Sequence, residues 1–162
     1  AGRSFTLRGE AGAEILPLRS IARQARDHPG AARQHVQTAI EQAMGAVLIA
    51  GHVDLLYVRG CSGLAGFAPS DAGRALAEAF SAEAERLLGG QHWAEWGSEQ
   101  VTSNFVIANE PDALLLPYDR YLNFWNEPLS NAASLVHFIG TYRYHRGAYL
   151  TAASRAIAQL GS

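Results

Sequence analysis

The stretch that decides the fold is DLLYVRGCSGLAGF, residues 54–67. Residues 54–58 form a compact apolar run of strand length that stops at Arg59-Gly60. Three glycines then occur within seven residues, and glycine lets the backbone adopt positive φ and approach a ligand closely. In an open α/β sheet ligands bind here, outside the carboxyl ends of the strands. The spacing is not the dinucleotide fingerprint Gly-x-Gly-x-x-Gly, and a tight turn or bulge without a ligand is the alternative interpretation.

The flanking segments alternate between strand and helix patterns. Upstream, residues 4–8 alternate like a short strand, and apolar residues at helical spacing predict a helix over residues 33–50, closed by Gly51-His52. Downstream, Pro69-Ser70-Asp71 predicts the start of a helix that ends at Gly89-Gly90.

The second half of the chain continues this alternation. The predicted elements are a helix at 98–108, a strand at 114–116, an aromatic-rich loop at 121–125, a strand at 135–139, a polar and basic loop at 140–147 and a helix at 148–160. Helices that alternate with short buried strands indicate an α/β fold. Since no linker divides the chain, we expect residues 1–162 to form one domain or part of one.

The composition is that of an ordinary globular chain. Of its 162 residues 48% are apolar and 17% charged, and the net charge of -2 gives no basic field for nucleic acid. Lysine is absent, so any cation that binds an anion here is Arg or His. Cys61 is the only cysteine, and the longest apolar run, residues 43–50, is too short to span a bilayer. We therefore expect a cytoplasmic protein with neither a transmembrane segment nor a nucleic-acid partner.

The segment EWGSEQ, residues 95–100, offers groups that suit a sugar. Ser98 is a candidate N-cap, which puts Glu99 and Gln100 in the first helical turn, where they can accept hydrogen bonds from sugar hydroxyls. Trp96 offers an apolar face to a sugar ring. The alternative is an ordinary capped helix start with a solvated glutamate.

The segment HFIGTYRYHRG, residues 137–147, offers groups that suit a diphosphate. Arg143 and Arg146 supply positive charge, loop amides can donate hydrogen bonds, and His137 could ligate a divalent metal ion that phosphate already holds. The alternative is a hydrogen-bonded core histidine followed by two solvated arginines.

Clustered aromatic residues at 117–126 suggest a third kind of surface. Interleaved with polar groups, they resemble a carbohydrate platform, and equally a packed loop that covers a core. A non-catalytic carbohydrate-binding domain would use Trp93, Trp96, Tyr121 and Trp125 on one exposed face. A plain structural α/β domain, with glycines only in turns, is the remaining alternative.

In order and surroundings these segments resemble the C-terminal portion of bacterial GT-A-type glycosyltransferases, the nucleotide-diphospho-sugar transferases. The resemblance extends from residue 5 to the last helix and is most specific in residues 58–67, 96–105 and 137–141. It implies that Ser62 and Gly63 line the donor sugar pocket together with Gly66, and that Trp96 contributes to the same substrate site.

The resemblance also implies roles for the later segments. Glu99 and Gln100 match the acidic-glutamine pair that contacts the transferred sugar. His137 matches a metal ligand, Gly140 a diphosphate contact, and Arg143 stands where a lysine is frequent. The implied ligands are a nucleotide-diphosphate sugar, an unknown acceptor and, in the complete enzyme, a divalent Mn or Mg ion.

One motif of that family is missing. No Asp-x-Asp triplet, which holds the metal and the nucleotide diphosphate, occurs in the chain. The motif belongs to the N-terminal nucleotide-binding half of the GT-A-like fold, so we expect that half to be missing from this sequence. Accordingly we expect no transferase activity from this chain alone, weak nucleotide-sugar binding, and either a homodimer that covers the exposed face or marginal stability.

Overall fold

The computed structural model describes residues 2–27 and 35–160 and has a mixed α/β architecture. In this part of the chain the strands are β1 (Phe5–Arg8), β2 (Leu16–Pro17), β3 (Leu56–Tyr57), β4 (Gly60–Gly66), β5 (Leu114–Leu115), β6 (Tyr121–Phe124) and β7 (Leu135–Phe138). The α-helices are α1 (Leu18–Asp27), α2 (Val36–Ala43), α3 (Asp71–Leu88), α4 (Gly90–Trp93), α5 (Ser98–Asn109) and α6 (Ala148–Leu160). Two 3-10 helices, Met44–Ala46 and Gly140–Gly147, follow α2 and precede α6.

The described strands form small sheets and no single large one. β1 lies in the middle of a three-stranded sheet, antiparallel to β4 and parallel to β5. β2 pairs with β3 in an antiparallel sheet, and β6 pairs with β7 in a parallel one. None of the described helices is long and apolar enough to cross a membrane.

The main core lies among the helices. Phe80 of α3 and Phe105 of α5 are fully buried, and their rings stack with centroids 4.0 Å apart. Apolar side chains of α1, α2 and β3 complete this core, among them the fully buried Ile40 and Tyr57. Leu7, Cys61 and Leu116 form a smaller cluster within the three-stranded sheet. α5 therefore stands between the helical core and the strands that carry the predicted site.

Several predicted elements are confirmed. Ser70 caps α3 by accepting a hydrogen bond from the amide of Gly73, and the helix ends before Gly89. α5 and α6 occupy almost exclusively the residues predicted for them, and the strands near residues 5, 114 and 135 are present in slightly shorter form. Short strands depend on pairing partners that local sequence does not specify.

The helix predicted over residues 33–50 is wrong in its second half. Residues 33 and 34 lie outside the described part, α2 ends at residue 43, and the chain is extended from Val47 onward. Val47 and Ile49 are buried whereas Leu48 is exposed, so the apolar residues here alternate with period 2. A carboxylate oxygen of Glu83 on α3 accepts a hydrogen bond from the Leu48 amide, which holds this extended segment.

Three loops predicted from sequence are regular structure. The glycine-rich residues 60–66 form β4, and the aromatic-rich segment that starts at Tyr121 forms β6. Residues 140–147 form a 3-10 helix interrupted at His145 and Arg146. β4 pairs with β1 at both of its ends and β6 pairs with β7 along its length, and such pairing is a tertiary property.

Candidate functional site

Strand β4 carries a bulge at its centre. Thr6 of β1 lies opposite Ala65, but its neighbour Leu7 lies opposite Cys61. One step along β1 therefore corresponds to four steps along β4, and residues 62–64 lie outside the regular pairing. Bulges change the direction of side chains and are frequent beside active sites. This bulge carries the predicted pair Ser62-Gly63.

Gly63 lies directly against the imidazole ring of His137 on β7. A Cβ atom at residue 63 would stand 2.4 Å from Nδ1 of His137, closer than non-bonded atoms approach one another. Glycine is therefore required at this position by the neighbouring side chain. The group that approaches the backbone here belongs to the protein itself.

Asn123 determines which nitrogen of His137 carries the proton. Asn123 lies opposite His137 in the parallel β6–β7 pair, and its amide nitrogen donates to the carbonyl oxygens of Arg8 and Gly9, at 2.6 and 3.2 Å. Its Oδ1 consequently faces Nδ1 of His137, 3.0 Å away. Since this oxygen can only accept, Nδ1 of His137 is the donor and Nε2 keeps its lone pair.

Cys61 lies beside the same ring nitrogen, with its sulfur 3.2 Å from Nδ1 of His137. Burial raises the pKa of the Cys61 thiol, whereas burial, followed by the positive charge of Arg143, lowers the pKa of the His137 imidazole. Both groups are therefore neutral near pH 7. A thiolate–imidazolium nucleophile needs the opposite shifts, so these directions do not favour nucleophilic chemistry at Cys61.

Gln100 connects the start of α5 to the bulge. Its Oε1 accepts a hydrogen bond from the backbone amide of Ser62 at 3.2 Å and lies 3.4 Å from the Ser62 hydroxyl. Its amide nitrogen donates to Oε1 of Gln37 on α2 at 3.1 Å. The side chain is half-buried and is held at both ends.

Gln37 is in turn bonded to the buried carboxylate of Glu41. Gln37 donates through Nε2 to Glu41 at 2.9 Å, and Glu41 is 1% exposed. The carboxylate also accepts from the Tyr57 hydroxyl at 3.1 Å and pairs with the guanidinium of Arg59. Burial, followed by the charge of Glu41, holds the pKa of Tyr57 well above its usual value, so this hydroxyl remains a donor.

The chain Ser62–Gln100–Gln37–Glu41 has only one consistent hydrogen-bond direction. At one end the Ser62 amide can only donate, and at the other end the Glu41 carboxylate can only accept. Both glutamine amides must therefore point their oxygens towards Ser62 and their nitrogens towards Glu41. In this way the buried carboxylate of Glu41, one helical turn after Gln37 on α2, determines the amide orientation of Gln100.

Glu99 and Trp96 lie away from this cluster. Oε2 of Glu99 accepts from the Gly97 amide at 3.0 Å, and Glu99 is exposed. The predicted N-cap at Ser98 is wrong, because Gly97, in a left-handed conformation, precedes the first helical residue. Trp96 is 82% exposed and touches the ring of His35 edge-on, with centroids 5.9 Å apart.

Gly66 lies at the far end of β4, whereas Gly140 and Arg143 follow β7. A Cβ atom at Gly66 would stand 2.4 Å from the Phe5 ring, so this glycine serves packing in the sheet. Gly140 has a φ of 47° and starts the 3-10 helix, and the Nε of Arg143 donates to its carbonyl oxygen at 2.8 Å. After burial, the positive charge of Arg143 is the second cause that lowers the pKa of the His137 imidazole.

The aromatic residues predicted as an alternative sugar platform do not share one exposed face. Trp93 is buried and packs edge-on against Phe80, and its indole nitrogen donates to Ser81. Trp125 is 47% exposed and donates to the carbonyl oxygen of Gly9. Trp93 is therefore unavailable to a ligand.

The structure thus brings together Ser62, Gly63, Gln100 and His137, with Arg143 as the neighbouring positive charge. Sequence reasoning missed Asn123, Gln37 and Glu41, which orient them. Asn123 left one signal, a polar residue between the buried Leu122 and Phe124, because a buried amide needs partners. Gln37 and Glu41 left none, since polar residues on a helix are ordinarily solvent-facing.

The residues around His137 do not by themselves fit a divalent metal ion. Nε2 of His137 is a suitable ligand atom, but the described residues contain no group of three His, Cys, Asp or Glu side chains that could hold a metal. Mn and Mg ions prefer carboxylate oxygens, and the neighbours of this imidazole are a neutral thiol and an amide. The metal dependence implied by the resemblance stays a prediction.

No protein-family model, curated protein or solved structure matches this chain. What the site binds has to be inferred from its side chains.

Proposed function

We propose that this chain is the C-terminal part of a GT-A-type glycosyltransferase that moves a sugar from a nucleotide-diphosphate sugar to an acceptor. The β4 bulge, the start of α5 and the end of β7 would hold the sugar and the diphosphate. The observation that carries the proposal is the meeting of three distant segments: Gln100 bonds to Ser62, and His137 packs on Gly63.

The two sides of this cluster differ in chemistry in the way such a donor requires. Ser62 and Gln100 are neutral groups that can exchange hydrogen bonds with sugar hydroxyls. Arg143 offers a guanidinium, which binds phosphate oxygens with two parallel hydrogen bonds. The sugar would therefore lie along the bulge with its diphosphate towards residues 140–143.

Arg143 would also act on the reaction itself. When the bond between the sugar and the diphosphate breaks, the leaving nucleoside diphosphate keeps the electron pair and gains negative charge. A guanidinium beside the leaving group would stabilise that charge. His137, neutral and with the lone pair on Nε2, would accept a hydrogen bond from a sugar hydroxyl and not from the diphosphate, whose oxygens are themselves acceptors.

Residue-resolved NMR titration tests this proposal. We expect UDP-glucose or GDP-mannose, with and without Mn, to shift the amide signals of Ser62 and Gly63 and the side-chain amide signal of Gln100. We expect a dissociation constant on the order of millimolar, because the chain has no Asp-x-Asp triplet to hold the metal and the diphosphate. No turnover is expected from the chain alone.

Arg143→Gln and Arg146→Gln form a matched pair, since both remove one charge from the same 3-10 helix. We expect Arg143→Gln to weaken binding roughly fivefold or more and Arg146→Gln to change it less than about twofold. Shifts that avoid Ser62 and Gln100, or equal effects of both variants, would contradict the proposal. Equal binding of free glucose would favour a carbohydrate-binding module instead.

A further inference from the structure

A second concave surface lies at the other end of α2, away from Gln37. It is a groove of about 530 Å³ between α1 on one side and, on the other, the end of α2 with the 3-10 helix Met44–Ala46 that follows it. Its lining includes Arg19, Arg23 and Arg26, and none of the described residues that line it carries a carboxylate. The proposed sugar site does not use any of these residues.

The three arginines form one stripe because their spacing of four and then three residues returns to the same face of α1. All three are exposed at the helix surface. Small residues form the floor: Ala22 is fully buried, and a Cβ atom at Gly45 would stand 3.7 Å from the Ala22 methyl group. The long arginine side chains therefore border a depression and not a flat helix face.

Two of these arginines, Arg19 and Arg23, lack partners among the described residues. Of the twelve arginines within the described residues, nine donate a hydrogen bond to a protein oxygen: Arg3, Arg8, Arg26, Arg59, Arg74, Arg86, Arg120, Arg143 and Arg155. Arg19, Arg23 and Arg146 form no hydrogen bond or ion pair with any described residue. Two of these three line the same groove.

Hydrogen bonds of Arg26 and its neighbour Ala25 connect α1 to α2 across the groove. Its Nη1 donates to the backbone carbonyl of Gln42 at 3.2 Å, and the Gln42 side chain donates back to the carbonyl of Ala25 at 3.3 Å. One guanidinium is thus held in place while its other N–H groups remain available. Such a fixed donor loses less conformational freedom when it binds a ligand.

The opposite side of α1 shows that the charge is segregated. The cavity on that side is lined by Glu10, Glu14 and Glu41, with Arg59 already paired to Glu41. α1 therefore separates an acidic cavity from a groove with three positive charges. Asp27, four residues after Arg23, is the acidic residue of α1 nearest this stripe, and no ion pair joins it to Arg23.

We propose that this groove binds a phosphate group that carries two or more negative charges. Arginine suits this ligand because its planar fork donates paired hydrogen bonds to phosphate oxygens, and three forks around one depression can share a single phosphate or diphosphate. The phosphate belongs either to a soluble metabolite or to a lipid headgroup, since both offer the same chemistry to the groove.

NMR titration with inorganic pyrophosphate tests the site on the 162-residue chain. We expect shifts of the amide signals of Ala22, Gly45 and Ala46, and a loss of affinity of roughly tenfold or more in the double variant Arg19→Gln/Arg23→Gln. The matched control Arg74→Gln/Arg155→Gln removes the same charge from exposed positions elsewhere and should change affinity less than about twofold. Equal losses in both double variants would overturn the proposal.

Pyrophosphate could also occupy the proposed donor site, and residue-resolved shifts separate the two. In the Arg143→Gln variant we expect the shifts at Gly45 and Ala46 to persist. Shifts confined to residues 140–143 would contradict phosphate binding in the groove and support the donor site. Shifts at Gly45 alone would support phosphate binding in the groove and give no support to the donor site.

A vesicle assay distinguishes the two sources of phosphate. Sedimentation with phosphatidylcholine vesicles, with and without phosphatidic acid, measures binding to a lipid headgroup. Binding that needs phosphatidic acid and is lost in Arg19→Gln/Arg23→Gln assigns a lipid, whereas pyrophosphate binding without vesicle binding assigns a soluble ligand. Absence of binding in both arms overturns the proposal.

Discussion

Helices α5 and α6 are nearly equal in length, 12 and 13 residues, yet they are held very differently. α5 passes through the core, where Val101, Phe105 and Ile107 are fully buried. α6 has no buried residue, and its Ile157 and Leu160 are 69% and 89% exposed. Both helices were predicted from sequence within a residue or so at their ends. Sequence periodicity therefore reports that a helix forms, whereas packing determines how much it contributes to stability.

The candidate site lies where these two regions meet. Gln100 is on α5 and is held from behind by Gln37 and the buried Glu41. Arg143 is on the 3-10 helix that leads into α6 and is anchored only by a local bond to Gly140. Contacts to the core therefore orient Gln100, whereas the position of Arg143 depends on a segment with little burial.

The largest expected difference between the two regions is in stability. Phe105→Ala should lower the free energy of unfolding by about 3–5 kcal/mol, because it leaves a cavity against Phe80. Ile157→Ala on α6 should change it by less than about 0.5 kcal/mol, since that side chain is largely exposed. Urea denaturation of both variants measures the difference. Similar losses of stability in both variants would mean that Ile157 packs against another part of this chain.

The next effect concerns the close approach of β4 to β7. Gly63→Ala should destabilise the fold by about 1–3 kcal/mol, because the added methyl group overlaps the His137 ring. Gly12→Ala is the control, since a Cβ atom there meets nothing within 4 Å and the backbone is not in the left-handed region. Thermal unfolding of both variants gives the comparison, and a neutral Gly63→Ala variant would show that β7 is free to move away.

A smaller effect is expected from the hydrogen-bond chain behind Gln100. Gln37→Met removes the acceptor for the Gln100 amide and should speed hydrogen exchange of the Ser62 amide roughly fivefold, which corresponds to about 1 kcal/mol. Gln42→Met is the control, because it removes a glutamine of the same helix whose side chain bonds to Ala25 instead, and it should preserve most of the protection. Equal exchange rates in the two variants would show that Gln37 does not orient Gln100.

The smallest effect is a pH dependence at His137. Its pKa is lowered in the folded state, so the unfolded chain binds the proton more readily, and stability should fall as the pH drops below about 6.5 and through the folded pKa. His137→Gln should remove this contribution and flatten the pH dependence relative to the unmodified chain. Denaturation at several pH values between neutral and mildly acidic measures the difference in slope, and parallel curves would refute the assignment.

Local patterns were sufficient for elements that carry their own signals. α3 has its capping serine and its closing glycine, and α6 follows a glycine and keeps helical spacing to its end. Local patterns gave a wrong prediction at residues 47–50, because an alternating apolar run directly after a helix has the composition of a longer helix. They failed again at β6, because a four-residue strand is defined by its pairing with β7 and not by its own composition.

For the site, the sequence identified the groups but not their arrangement. Ser62, Gly63, Gln100 and His137 were candidates from residue type and from the resemblance, and they lie together in the structure. The orientation of Gln100 and the tautomer of His137 depend on Gln37 and Asn123, whose importance arises from contacts across 63 and 14 residues of sequence. No local pattern encodes such a contact.

By itself the sequence determined that helices and short strands alternate, where most of the helices begin and end, and which side chains are candidates for binding a sugar or a phosphate. These properties depend on neighbours within a few residues. Only the tertiary structure decided that β4 is bulged, that a buried carboxylate orients Gln100, and that α1 separates arginines from glutamates. Those features depend on contacts between residues that are far apart in the sequence. Burial makes such contacts energetically important, because a buried polar group needs a partner.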